Sequence, residues 1–409
     1  MNINLSTGDK LFNPLVPLLL YLFMAITTLH IEIPLLLNLH IESITLIAVL
    51  VNTLLYITLS DKLKLNFDHP IMLPLLIGLL FIISPLITSL FNHGVLLILK
   101  NQEYQDLFKM IIFSSLVFFF LQKKEFKNKI LNSIIVFYFI FGLYFLYRFL
   151  VLHEVREYDQ RPLLKIRHGD ANFICTFFSM MFPLALMQAW YYKNKKTYIN
   201  SIIFTLISIF FFICAFLTES RMGIIAIIIG LLYLASKPLI TSLNKMRIGF
   251  FLSIIAITFV INSDHLFQRY ADIQDKSNED RYLTWKNGLQ VFKDNPIIGA
   301  GIHSSPSFFY KNTQYPHFQS EFKPLEVHNA FIKVAAELGI IGLFSFILLY
   351  FWPYIKSLQL ISEDRVFLIC SMGILTLSIM TIGIVYKDLF ILHLFIIAAL
   401  AKQQKLKTT

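Results

Sequence analysis

Charge is what this chain has least of. Only 15% of its 409 residues are Asp, Glu, Lys or Arg, against about 25% in a soluble domain. So few charges leave too little polar surface to face water on all sides, which excludes an ordinary soluble enzyme. Cysteine is scarce as well. Cys175, Cys214 and Cys370 are the whole complement, each inside an apolar segment. They read as small buried hydrophobes, with neither a disulfide framework nor metal-ligand spacing. No Asp-X-Asp, His-Glu-X-X-His or Cys-X-X-Cys run occurs, so metal chemistry has no support and no metal or cofactor is expected. No Gly-X-Ser-X-Gly is present either, which removes an esterase elbow. Gly299-Ala300-Gly301 is a weak signal, because no strand precedes it and no Lys-Ser/Thr follows, as a nucleotide loop would need. No small-residue cleavage site follows Leu15–Leu29, so the first apolar block is expected to act as an uncleaved insertion signal.

What the chain has is hydrocarbon: 56% hydrophobic residues, among them 41 Phe. It comes in blocks near the roughly 17–25 residues that cross a bilayer as helix. Backbone groups in lipid must be paired internally, so helices are the expected form. Hydropathy gives about twelve spans in an all-α, polytopic membrane fold. They are Pro14–Leu29, Leu35–Leu59, Ile71–Leu90, Leu107–Leu121, Ile130–Leu152, Ala171–Tyr191, Ile199–Leu217, a short Met222–Ala235, Ile248–Ile261, Ala330–Tyr350, Val366–Val385 and Leu389–Leu400. Residues 1–409 form a single integral membrane domain, with residues 262–328 as one long loop between spans nine and ten.

The formal charge of +10 does not point to nucleic acid, because much of it lies in short runs between apolar blocks, where it sets topology. Lys62 and Lys64, Lys123 to Lys129, Lys193 to Lys196, Lys237 to Arg247, and Lys402 to Lys407 all fall on one side if the spans alternate. That side is expected to be the cytoplasm, which puts residues 262–328 outside it. One opposite-side loop is also basic, with Arg156, Arg161, Lys165, Arg167 and His168. It reads either as a site for a phosphate-like anion, which Arg grips bidentately, or as a solvated loop partnered by Glu154, Glu157 and Asp159.

The long polar interruption from Asn262 to Gly342 organises the rest. Tyr282, Trp285, Leu289 and Phe292 recur at spacings of three and four, predicting an amphipathic helix over 281–292 that lies along the membrane interface. Asp294-Asn295-Pro296 ends it by turn chemistry. Arg281 opens this helix; Arg221, between spans seven and eight, sits at the membrane edge with almost no loop around it. A charge at that depth pairs, snorkels or binds a ligand. His328-Asn329 stands where the loop re-enters the bilayer. Asn329 is a natural N-cap, and a His there is either structural or a general base near neutral pH. Glu337, two turns further on, is expensive in lipid without a partner.

Five short elements, taken in order, resemble the O-antigen ligase and polymerase superfamily. They are Arg167-His168-Gly169-Asp170-Ala171-Asn172, Thr218-Glu219-Ser220-Arg221-Met222-Gly223, Arg281-Tyr282-Leu283-Thr284-Trp285, Asn295-Pro296-Ile297-Ile298-Gly299-Ala300-Gly301, and His328-Asn329-Ala330-Phe331 with Glu337-Leu338-Gly339-Ile340-Ile341-Gly342. The resemblance runs from about Arg148 to Tyr350. It implies a GT-C-like, metal-independent glycosyltransferase of the bacterial inner membrane, working at the periplasmic face. Its donor would be a glycan on undecaprenyl diphosphate and its acceptor the lipid A core, as in the ligase; the polymerase, which joins repeat units on the same carrier, is the alternative. The resemblance gives Arg221 and Arg281 to the diphosphate and His328 to the acceptor hydroxyl; Arg161, Arg167, Asn172, Asn329 and Glu337 are candidates for supporting roles beside them. A glycan or lipid transporter is the reading from another class. Transporters tend to carry internal repeats and midplane charges, whereas here the polar residues gather at one face.

Overall fold

The computed structural model describes residues 72–92, 98–99, 101–155, 171–237, 276–302, 327–360, 363–383 and 388–402. Ten α-helices form among them, with no strand: α1 Met72–Asn92, α2 Gln102–Leu121, α3 Lys124–Leu146, α4 Ala171–Asn194, α5 Tyr198–Leu217, α6 Arg221–Ala235, α7 Lys276–Asp294, α8 Ala330–Leu358, α9 Asp364–Ile379 and α10 Asp388–Lys402. A single π-helical turn, Tyr147–Val151, extends α3. The expected spans over Pro14–Leu29, Leu35–Leu59 and Ile248–Ile261 lie outside the described residues. The other expected spans overlap helices, though the one expected over Val366–Val385 ends as helix at Ile379. Five helices are long and apolar enough to cross a membrane, over Tyr104–Leu121, Phe126–Val151, Ala171–Asn194, Tyr198–Leu217 and Ala330–Leu358.

Two helix clusters share one apolar core. In the first, α4 lies along α5, and α9 packs on α4 and α6; in the second, α10 packs on α2 and α8, with α1 against α8. Helices in lipid gain little from hydrophobic contrast, so close packing and interhelical hydrogen bonds carry more of the association. Ser371 illustrates this. Its hydroxyl donates to Met180 O at 2.7 Å and lies 2.8 Å from His393 Nε2. One hydroxyl proton cannot serve both partners, so His393 is the Nε2–H tautomer and donates to Ser371. Ser208 Oγ donates across the bundle to Phe182 O, and Cys370 Sγ to Gly230 O.

The helices alternate in direction, giving the bundle two chemically distinct ends. At one end Trp190 Nε1 donates to Glu363, joining the foot of α4 to the start of α9. Asn132 Nδ2 donates to Tyr192 Oη at 2.6 Å and brings in the start of α3. Lys123, Lys127, Lys129, Lys193, Lys195, Lys196, Lys237 and Lys356 belong to the same end by their place in these helices. At the other end Ser220 meets Asn172, and Asn329 meets Met380. Lysine crowds the first end; those residues singled out for chemistry that are described stand at the second.

Candidate active site

Two corners build the second end. The first turns α5 into α6 within three residues. Thr218 Oγ1 donates to Ala215 O at 2.7 Å, Glu219 takes a left-handed φ of 52°, and α6 begins at Arg221. Ser220 is placed to cap α6, but its hydroxyl donates instead to Asn172 Oδ1 at 3.0 Å, and no side-chain cap closes the first turn of α6. Arg221 therefore stands at a helix N-terminus whose amide dipoles also favour negative charge. The α4 start fits closely beneath it: Cys175 Sγ occupies the place a Cβ on Gly223 would take. Asn172 and the Thr218–Gly223 element, 48 positions apart where Ser220 and Asn172 meet, are thus one structure.

The second corner is a three-way junction of α7, α8 and the end of α9. Asn329 caps α8 as its position predicts, its Oδ1 accepting from Phe331 N at 3.0 Å and Ile332 N at 3.1 Å. Its Nδ2 donates to Met380 O at 3.2 Å, which ties the cap to α9. Trp285 Nε1 of α7 donates to the main-chain carbonyl of His328 at 3.0 Å. Two glycines let the backbones close on Val327. A Cβ on Gly288 would lie 2.7 Å from Ile332 Cγ2, and one on Gly383 would lie 2.6 Å from Val327 O. Asn329→Ala is expected to cost about 1 kcal/mol for the lost cap and about 1 kcal/mol more for the bond to Met380. The check is thermal unfolding of detergent-solubilised protein.

The helix expected over 281–292 runs from Lys276 to Asp294, with a packed face different from its apolar stripe. Thr284, Asn287, Gly288 and Val291 are buried, while Tyr282 is 66% and Leu289 47% exposed. The small residues meet α8; Tyr282 and Leu289 of the apolar stripe face outward, while Trp285 and Phe292 are half-buried. Arg281, half-buried, heads the packed face one turn before Thr284, whose Oγ1 donates to Arg281 O.

Below this junction α8 is broken. Gly339 has φ 63° and ψ −160°, far from helical values. An unbroken helix would pair Ala336 O with Ile340 N and Glu337 O with Ile341 N. The segment Asn295–Gly301 enters the gap and replaces both sets of partners. Ala300 N donates to Ala336 O at 3.0 Å and Gly301 N to Glu337 O at 2.8 Å. Ile340 N donates to Pro296 O at 2.8 Å and Ile341 N to Ile297 O at 3.5 Å. Thr88 of α1 donates to Ile298 O and pins the strap from outside. The role of Gly299-Ala300-Gly301 is this backbone insertion. Lys333 and Glu337 lie one turn apart on α8, 1% and 0% exposed, so the pair stands as i,i+4 neighbours beneath the junction.

Arg161 and Arg167 lie outside the described residues. Arg148, at the base of that basic loop, forms an ion pair with Glu154. Arg221 and Asn172 occupy the first corner; Arg281, His328, Asn329 and Glu337 occupy the second. Helix α9 joins the corners, packing on α4 and α6 along its length and holding Asn329 at its end. Sequence reasoning placed Trp285 only in the apolar stripe and a family element, and gave no role to Met380, Gly288 or Gly383, because main-chain hydrogen bonds and missing side chains leave no pattern in composition. Among the described residues no group of three His, Cys, Asp or Glu side chains is placed to hold a metal ion.

These features define an all-helical, multi-pass membrane protein with its polar machinery at one end. Residues 203–347 match the family model described as O-antigen ligase, and the chain carries through them a domain of the O-antigen ligase superfamily of membrane glycan-processing enzymes. The match covers roughly a third of the chain, and both Arg221 and the whole of α7, the strap, His328 and the α8 break fall inside it. No curated protein matches the sequence.

Proposed function

We propose that this protein is an O-antigen ligase of GT-C-like architecture. It transfers a glycan from undecaprenyl diphosphate to the lipid A core at the periplasmic face of the inner membrane. The lysine-rich end faces the cytoplasm by the positive-inside rule, so both corners open outward and residues 262–328 form the periplasmic loop. The observation that carries the reading is the bond between Trp285 and His328, which fixes the helix bearing Arg281 against the backbone of His328.

In the reaction, the acceptor hydroxyl attacks the anomeric carbon on the face opposite the diphosphate. A new carbon–oxygen bond forms as the carbon–phosphate-oxygen bond breaks, so configuration inverts. The imidazole of His328 takes the hydroxyl proton, and the electron pair leaves with undecaprenyl diphosphate. Arg221, supported by the start of α6, and Arg281 stabilise the growing charge on the departing phosphate. No step draws on an ion gradient.

Replacing either Arg221 or Arg281 by Lys is expected to lower transfer by about a hundredfold or more, as losing a fixed charge-stabilising donor does, because a point charge does not reproduce the bidentate fork. Purified Lys variants with wild-type rates and donor affinity would remove the diphosphate clamp from the mechanism. The decisive assay mixes purified protein, lipid-diphosphate glycan and lipid A-core acceptor in detergent. Transfer without a gradient is expected, whereas transport without transfer would make the protein a carrier. A deletion strain separates the two glycan reactions. Loss of all capped chains with lipid-linked polymer accumulating marks the ligase, and a core bearing one repeat unit marks the polymerase.

A further inference from the structure

The backbone around His328 is held from three sides, and each hold has a different origin. Asn329 ties it to α9 through Met380 O. Val327 is enclosed between Gly288 and Gly383, whose missing side chains admit it; Lys333 Cδ closes the far side, 3.2 Å from where a Cβ on Gly383 would stand. Trp285 ties the carbonyl of His328 to α7. The last two reach the helix that carries Arg281, and of these the Trp285 bond is the one that binds residue 328 itself. Residues four apart on a helix are surface neighbours, with Cβ atoms about 5–6 Å apart, so Arg281 and Trp285 occupy adjacent turns of one rigid rod. Gly288 continues that rod to α8, where a side chain would strike Ile332. A displacement of Arg281 along or about the α7 axis therefore moves the indole that holds the carbonyl of His328.

We infer that Trp285 is a positioning residue that couples engagement of the donor diphosphate at Arg281 to the placement of the His328 imidazole against the acceptor; this rests on the glycosyl-transfer reading above. The chemistry gives the coupling a use. The imidazole must meet a hydroxyl from a second substrate at a carbon fixed by the first, and a misplacement of about 1 Å can cost as much as 10²-fold in rate. Carrying the donor clamp and the hold on the base on one helix keeps the two registered to each other. The indole acts through the main chain and touches no substrate.

Trp285→Phe removes the N–H and keeps an aromatic ring of similar bulk. With purified full-length protein, lipid-diphosphate glycan and lipid A-core acceptor, kcat is expected to fall about tenfold to a hundredfold. The donor KM should stay within about twofold and the melting temperature should be preserved, a division that a merely structural role would not give. The double variant with Arg281→Lys should lose less than the product of the two single losses, since coupled sites are non-additive. An active wild type beside a Trp285→Phe variant of full kcat overturns the coupling alone. So does strict multiplicativity in the double variant, or a kcat loss matched by an equal rise in donor KM. A wild type that transfers no glycan under these conditions overturns the glycosyl-transfer reading and the coupling with it.

Discussion

His328→Ala is expected to abolish glycan transfer while the protein inserts and purifies as before. General-base catalysis is worth about 10²–10⁴-fold, and removing the imidazole forfeits all of it. The fold should persist, because the Trp285, Asn329 and Val327 contacts at this corner pass through the main chain or through neighbours. Trp285 binds the carbonyl of residue 328, Asn329 supplies the cap, and Val327 fills the space between the two glycines. An Ala at 328 keeps that carbonyl and that cap. Expression, gel-filtration profile and melting temperature should therefore match the wild type, with transfer read from lipopolysaccharide banding in complemented cells and from the purified assay. Normal banding in cells carrying only the variant would remove His328 as the base.

The largest stability effect is expected at Gly339. Its dihedrals, φ 63° and ψ −160°, belong to a region that is essentially glycine's and costs other residues on the order of 1–3 kcal/mol. Alanine also meets a wall there, since its Cβ would lie 2.5 Å from Ile297 C and 2.6 Å from Gly299 N. Those atoms are backbone of the strap and cannot rotate away. Gly299, with φ 71° and the backbone of Glu337 and Leu338 in the way, is the mirror of the same contact. Either Gly→Ala change should expel the strap and leave the helix break without its partners, giving loss of folded protein after detergent extraction. Gly373 is the control, in the middle of α9 with nothing within 4 Å of its notional Cβ. There Ala should be neutral or stabilising by up to about 1 kcal/mol, from helix propensity and a stiffer unfolded chain. Equal stability of Gly339→Ala and Gly373→Ala would show that the insertion bears no load.

Much of the scaffold was legible because its cause is local. Uninterrupted apolar runs make helices in lipid, and α5 and α6 each begin within a residue of the expected start. Asn329 was legible as a cap because capping reaches only two or three residues. The face of α7 was not. In water an apolar stripe marks the side that packs, but beside lipid it can point outward while Thr284 and Gly288 make the helix contact. Tyr282 and Leu289 therefore predicted a helix correctly and its packed side not at all. The strap was illegible for another reason. Its four bonds to α8 join main-chain atoms about forty residues apart, between Pro296 and Ile340 for example, and main-chain partners impose no residue type beyond two glycines. The Trp285 bond hides in the same way, since its acceptor is a carbonyl that any residue at 328 would supply.

The strap also bears on how the chain enters the bilayer. Asn295–Gly301 is synthesised before α8, so its donors and acceptors already exist when Gly339 leaves the ribosome. Without them the broken turn would show amides and carbonyls to hydrocarbon, at several kcal/mol for each group left unsatisfied. Beyond Ile340 and Ile341, whose amides the strap also satisfies, the inner part of α8 can insert as plain helix. Its outer part, with Asn329 and His328 at its tip, settles only once the earlier segment has docked. The corner around His328 is then among the last parts of this region to form, and a nascent chain in which docking fails would hold an inserted helix without an assembled corner.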